Sequence, residues 1–218
     1  MYKLSREVGD EKSKSRIEFL NDGVFAIVMT LLVLEIAVPQ LSHSEAQVEL
    51  PRRLLELWPL LLSYVTSFMI LGLFWITHED MFHHIKRANR IFLWLNILYL
   101  MFIAFIPFST SLVGEYGDQQ ISVVIYGINI VVAAFWMNMQ WWYATKDHHL
   151  VDSDLDPTII TTMSRHLLVG PITYLIAVVL SFASVQISLV MYIAIPLYYL
   201  IPARRNNPRL WFIKSGKR

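Results

Sequence analysis

Residues 167–203 run for 37 positions without an Asp, Glu, Lys or Arg. A water-soluble domain has no use for such a stretch. A bilayer does, because crossing its hydrocarbon takes about 20 mostly apolar residues. Residues 57–77, 91–114 and 119–145 are likewise free of formal charge. The longest run is too long for one span and reads as two helices with a turn near Ser184, Gln186 and Ser188. An earlier segment, 17–38, is apolar except for Asp22 and Glu35 and reads as the first span. Composition agrees: 56% of the 218 residues are hydrophobic and 16% charged, against about 25% charged in soluble domains. The chain has no cysteine, which excludes disulfide frameworks, thiolate metal sites and cysteine nucleophiles.

The expectation is an all-α membrane protein with six transmembrane helices per subunit, at about 17–38, 57–77, 91–113, 120–145, 166–184 and 187–203. A cytoplasmic segment, 1–16, precedes them and a basic cytoplasmic tail, 204–218, follows. Orientation comes from the cations. Segments 1–16, 78–90, 146–166 and 204–218 hold 16 Lys and Arg, whereas the opposite loops hold only Arg52 and Arg53. Basic loops stay on the cytoplasmic side, so both termini are expected there, in a multi-pass protein of the cell membrane. Residues 1–16 are polar and no small-residue cleavage site follows, so the first helix reads as a permanent anchor. Leu210-Trp211-Phe212-Ile213, between basic residues, reads as an interfacial tail. Pro107 and Pro196 are expected to kink or break their helices.

Several chemistries find no motif. There is no Thr-Val-Gly-Tyr-Gly filter, no arginine ladder of a voltage sensor, and no nucleotide, hydrolase or zinc-protease signature. His83-His84 and His148-His149 read as solvated pairs in inner loops, because neighbouring side chains on a helix diverge. Asp152, Asp154 and Asp156 read as a solvated acidic loop, lacking the glycine and distal glutamate of a calcium loop. No enzyme activity, metal site or cofactor is expected.

The first span carries the chemistry. Asp22 lies about 9 Å along the helix from Arg16, where an ionised carboxylate needs a protein or water partner. Trp75 and His78 come to a similar depth if the first two spans are antiparallel. Arg16, Asn21, Asp22, Trp75 and His78 are therefore expected to form one polar cluster, either a packing network or a functional one. Ile27, Thr30, Leu31 and Leu34 follow i, i+3, i+4, i+7 spacing and share one face, with Val24 and Val38 extending it. That stripe fits helix packing, and it also fits a pore lining. In a pore, Ile27, Leu31 and Leu34 form stacked apolar rings that stop ions by dewetting. Thr30 then supplies the hydroxyl between them, and Glu35 an acidic ring at the mouth.

The segment resembles the signature of the endosomal and lysosomal potassium channel family, transmembrane protein 175, in its prokaryotic form. The family motif on the first helix is R-x-x-x-F-S-D. Arg16 and Asp22 match it, while Leu20 stands for the Phe and Asn21 for the Ser. The continuation from Gly23 through Ile36 is similar throughout. The resemblance implies six-helix subunits assembled as homotetramers, with the first helix lining a central pore that conducts potassium without the usual filter. It implies Ile27 as the constriction, Thr30 as the residue linked to cation preference, and Leu31 and Leu34 as further pore positions. A competing expectation is a proton-conducting pore or proton-coupled transporter that uses Asp22 and His78.

Overall fold

The computed structural model describes residues 2–200, with side chains placed over 13–199. Eight α-helices make up the described chain: α1 (Tyr2–Leu34), α2 (His43–Glu56), α3 (Trp58–His84), α4 (Arg90–Ala104), α5 (Ile106–Glu115), α6 (Gln120–Thr145), α7 (Pro157–Ser181) and α8 (Val185–Leu200). Five stretches are long and apolar enough to cross a membrane: Ser13–Leu34, Trp58–His84, Arg90–Glu115, Gln120–His148 and Pro157–Ser181. The third of these joins α4 and α5. The sixth apolar helix, α8, has 16 residues and rises about 24 Å at 1.5 Å per residue.

The helix ends depart from the sequence expectation where local chemistry overrides hydropathy. α1 stops at Leu34, short of Val38; Pro39 keeps Val38 itself out of helical backbone. α3 continues through His84, which puts His83 and His84 in its last turn, not in a loop. The expected third span divides at Phe105, two residues before Pro107. A proline ring cannot accommodate a regular turn before it. Pro196, in contrast, sits inside an uninterrupted α8, as Pro171 does in α7. α7 begins at Pro157, well before position 166. Asp156 accepts the Thr158 amide at 2.7 Å, and Pro157 supplies a preset first helical residue. The acidic loop thus shrinks to 146–156, and its last aspartate is a helix cap. Residues 39–56, expected as a loop between the first two spans, contain α2. Its start is a capping box, in which Ser42 and Glu45 satisfy each other's amides. The tail 204–218, with its Leu210–Ile213 stretch, lies outside the described residues.

The core is one continuous apolar cluster that includes Phe25, Leu71, Phe92, Tyr99, Ile130, Trp141 and Tyr174. α6 sits at its centre, packed on α4 and α5 to one side and on α7 to the other, with α8 against α7. α1 packs on α3, α4 and α5, so it lies at the opposite edge from α7. Polar side chains stitch the helices within this core. Ser67 on α3 bonds both Tyr126 on α6 and Thr110 on α5, each at 2.8 Å. Asn129 on α6 donates to Ser109 on α5 at 3.2 Å. Gly127 lets α8 close on α6, because an added Cβ would stand 2.0 Å from the Tyr192 hydroxyl. At the opposite end, the α3–α4 and α6–α7 connections are latched. The Leu150 carbonyl accepts the amides of Lys86 and Arg87, and Ile85 bridges Val151.

Candidate functional site

α1 has two faces with different fates. Ile17, Asn21, Phe25, Val28 and Leu32 are buried; their spacing of three and four residues keeps them on the side facing α3, α4 and α5. The other side is open. Ile27 is 60% exposed, Leu31 41% and Leu34 73%, and Thr30 between them is exposed too. The Thr30 hydroxyl donates back along its own helix, to the carbonyls of Ala26 at 3.0 Å and Ile27 at 2.8 Å. Among the described residues no donor bonds its oxygen. A Cβ on Gly23 would meet nothing within 4 Å. A cleft of about 540 Å³ runs along this face, lined among others by Arg16, Leu20, Gly23, Ile27 and Leu93. Glu35 comes one residue past the helix end, in the turn that returns the Ile36 amide to Val33.

The polar residues divide between the two sides. Asn21 is buried where α1, α3 and α4 meet. Asn96 donates to its oxygen at 2.8 Å, and its amide nitrogen lies 3.5 Å from His78 Nδ1. With the Asn21 oxygen engaged by a donor, its nitrogen is the donor to His78. That makes Nδ1 the acceptor and leaves the ring proton on Nε2. The imidazole is stacked between Tyr99, 5.0 Å away, and Phe82, 4.4 Å away. Asp22, one residue on, points about 100° away and accepts the Trp75 indole at 2.9 Å. Asn21, Asp22, Trp75 and His78 line one cavity of about 280 Å³ together with Glu18 and Glu79.

Arg16 is not part of this group. Six residues of helix turn it about 120° from Asp22, and it lines the open cleft instead; no hydrogen bond or ion pair joins it to Asp22. The sequence reading missed Asn96 on α4 and Gln140 on α6. Both are fully buried and both lie beside the imidazole. His78 Nε2, the Asn96 oxygen and both Gln140 amide atoms have no well-formed partner among the described residues. Asn96 carried a signal, as the one amide in the charge-free run 91–114; Gln140 did not stand out, because the run 119–145 also holds Asn129, Asn138 and two glutamines at its start.

The chain and its fold have known relatives. The model of the family described as "Endosomal/lysosomal potassium channel TMEM175" matches residues 16–107. A protein of Chamaesiphon minutus named as a potassium channel is 34% identical over 204 residues, covering 92% of this chain and 98% of its own. The chain belongs to the TMEM175 channel family. A Streptomyces collinus relative, also named as a potassium channel, is 31% identical over 188 residues, covering 84% of this chain and 90% of its own. The human relative, named "Endosomal/lysosomal proton channel TMEM175", is 29% identical over 216 residues, which cover 91% of this chain and 42% of that protein. The crystal structure of a lysosomal potassium-selective channel TMEM175 homolog from Chamaesiphon minutus superposes with a TM-score of 0.76 at 34% identity, over 86% of this chain and 96% of that one. The protein is thus a membrane channel of this family.

Proposed function

We propose that four copies of the chain assemble around α1 as a potassium-permeable cation channel of the cell membrane, with both termini cytoplasmic. The observation that carries this reading is the open face of α1. Large apolar side chains at 27, 31 and 34 stay 41–73% exposed within the subunit, while the same helix is packed on its other side. Around a shared axis, Ile27, Leu31 and Leu34 make dry rings about 10 Å in total height. Ions pass when the rings wet and stop when they dewet. Thr30 offers the hydroxyl oxygens within the seam, and Glu35 concentrates cations at its mouth. Asn21, Asp22, Trp75 and His78 hold α1 in register against α3, and Arg16 stands at the end of the conduit. Nothing covalent happens, no cofactor takes part, and the reading leaves no enzymatic step. The potassium-channel names of the bacterial relatives support it.

The test is potassium flux into liposomes, paired with a mass measurement on the same detergent-purified sample. A mass of four chains and a faster flux for Ile27→Asn are expected, because a polar ring stays wet. Unchanged or slower flux removes Ile27 from the gate. The proton-channel name of the animal relatives, together with the buried histidine beside Asp22, favours a second reading in which protons pass. A current driven by a pH gradient at symmetric potassium, and lost in His78→Gln, would select it.

A further inference from the structure

α2 has no buried residue. Its neighbour in space is α3, and α3 covers little of it. Yet its sequence is sharply two-sided. At 100° per residue, Glu45, Glu49, Arg52, Arg53 and Glu56 fall within an arc of about 100°. Ala46, Val48, Leu50, Pro51, Leu54 and Leu55 occupy the remaining arc, in which Gln47 is the one polar intruder past the first turn. Val48 is 81% exposed and Leu55 77%.

The charged side needs water and no partner. Arg52 pairs with Glu49 at 3.8 Å and Glu56 at 3.5 Å, and Arg53 pairs with the same two at 3.7 and 3.3 Å. The apolar side needs a cover, and its neighbour shows which. Leu57 joins α2 to α3 with near-helical backbone, φ −76° and ψ −2°. The Leu54–Leu55 edge therefore runs on into the exposed Trp58, Leu61, Val65 and Phe68 of a membrane-length helix. Trp58, at that junction, is the residue type that marks the border between hydrocarbon and water.

We propose that α2 is an interfacial helix, resting its Val48–Leu55 side on the phospholipid surface at the end of α1 and α3 that they share with it. A charged face, a broad apolar face and a low overall hydrophobicity are the features of helices that lie in the membrane plane. Three Glu and two Arg leave α2 nearly neutral, so apolar burial holds it there and the charge of the lipid does not. An eight-residue linker, 35–42, ties this anchor to the end of α1. The placement holds whichever way the open face of α1 is turned.

The absence of native cysteine makes the test clean. Val48→Cys, Leu55→Cys, Glu49→Cys and Glu56→Cys are each made in the full chain, nitroxide-labelled, and reconstituted in phosphatidylcholine vesicles. Collisions with dioxygen, which partitions into lipid, are compared with collisions with a water-soluble nickel chelate. At 48 and 55 dioxygen should dominate, at a depth of about 5–10 Å; at 49 and 56 the chelate should dominate. The pattern should persist when anionic lipid is added. Chelate dominance at all four sites would place α2 in water and overturn the proposal. Shielding from both reagents at 48 and 55, with spin–spin broadening between copies, would overturn it in favour of a subunit contact.

Discussion

Asn21 uses both ends of its amide, accepting from Asn96 and donating to His78 across three helices. Replacing it by Leu removes two bonds at once and leaves two buried polar groups unpaired, each costing about 1–3 kcal/mol. Asn21→Leu should therefore lower the thermal midpoint in detergent well beyond Asn21→Ser, whose hydroxyl serves one of the two neighbours. Equal midpoints would mean that the contacts carry no weight. Leu20, beside it, is 47% exposed, so Leu20→Phe should leave that midpoint unchanged. Thr30 makes its hydrogen bonds only to its own helix. Thr30→Val should keep the fold's stability while lowering potassium-over-sodium preference, read from the reversal potential under biionic conditions. An unaltered potential removes Thr30 from selectivity. At this scale the sequence was legible in its periodicities. The alternation of Ile17, Asn21, Phe25, Val28 and Leu32 with the open stripe follows from 3.6 residues per turn. Arg16 was misassigned because distance along the helix was weighed without angle around it. Asn96 and Gln140 were missed because an amide in an apolar run does not say which distant residue it will meet.

Helix ends were legible where a side chain caps them and misread where hydropathy alone was used. The charged Arg165 and His166 placed the start of α7 too late. The capping pair Asp156-Pro157 places it correctly, and Ser42 with Glu45 marks α2 in the same way. Asp156 offers a measurement. Accepting the Thr158 amide holds its carboxyl below the ordinary 3.8, since the bond favours the charged form. A depressed folded value means stabilisation that is complete above 3.8 and fades as pH falls through the lower, folded value. Asp156→Asn can still cap but carries no charge. The midpoint advantage of the native chain over this variant should hold at neutral pH and vanish as the solution is acidified past that range. A gap independent of pH would show that the charge at this cap contributes nothing. Pro107 and Pro196 carry a related lesson. One divides its helix and the other does not, because the neighbours of a helix can hold it together through a missing amide. The identity of those neighbours is not local information.

For the whole molecule, what the sequence could not supply is which apolar surface meets another copy and which meets lipid, since both are equally hydrophobic. Two glycines separate the fold of a subunit from its assembly. Gly127 lies inside: an added Cβ would stand 2.0 Å from the Tyr192 hydroxyl and 2.4 Å from a Val178 methyl. Gly127→Leu overpacks the α6–α7–α8 contact, at a cost of about 1–3 kcal/mol or more, and should damage the isolated subunit. Gly23 lies on the open face of α1, level with the cleft beside Leu93, and a Cβ there touches nothing in its own chain. Small residues on such a face let helices from different subunits approach closely. If four α1 helices pack around one axis, Gly23→Leu should leave helix content and subunit unfolding intact, yet shift the detergent-corrected mass from four chains to fewer and abolish potassium flux. If the open face of α1 meets only lipid, the larger side chain is accommodated by acyl chains, and mass and flux both stay as they are. The two outcomes differ in assembly while agreeing in fold, so the experiment decides the orientation of α1 without depending on the stability of the variant.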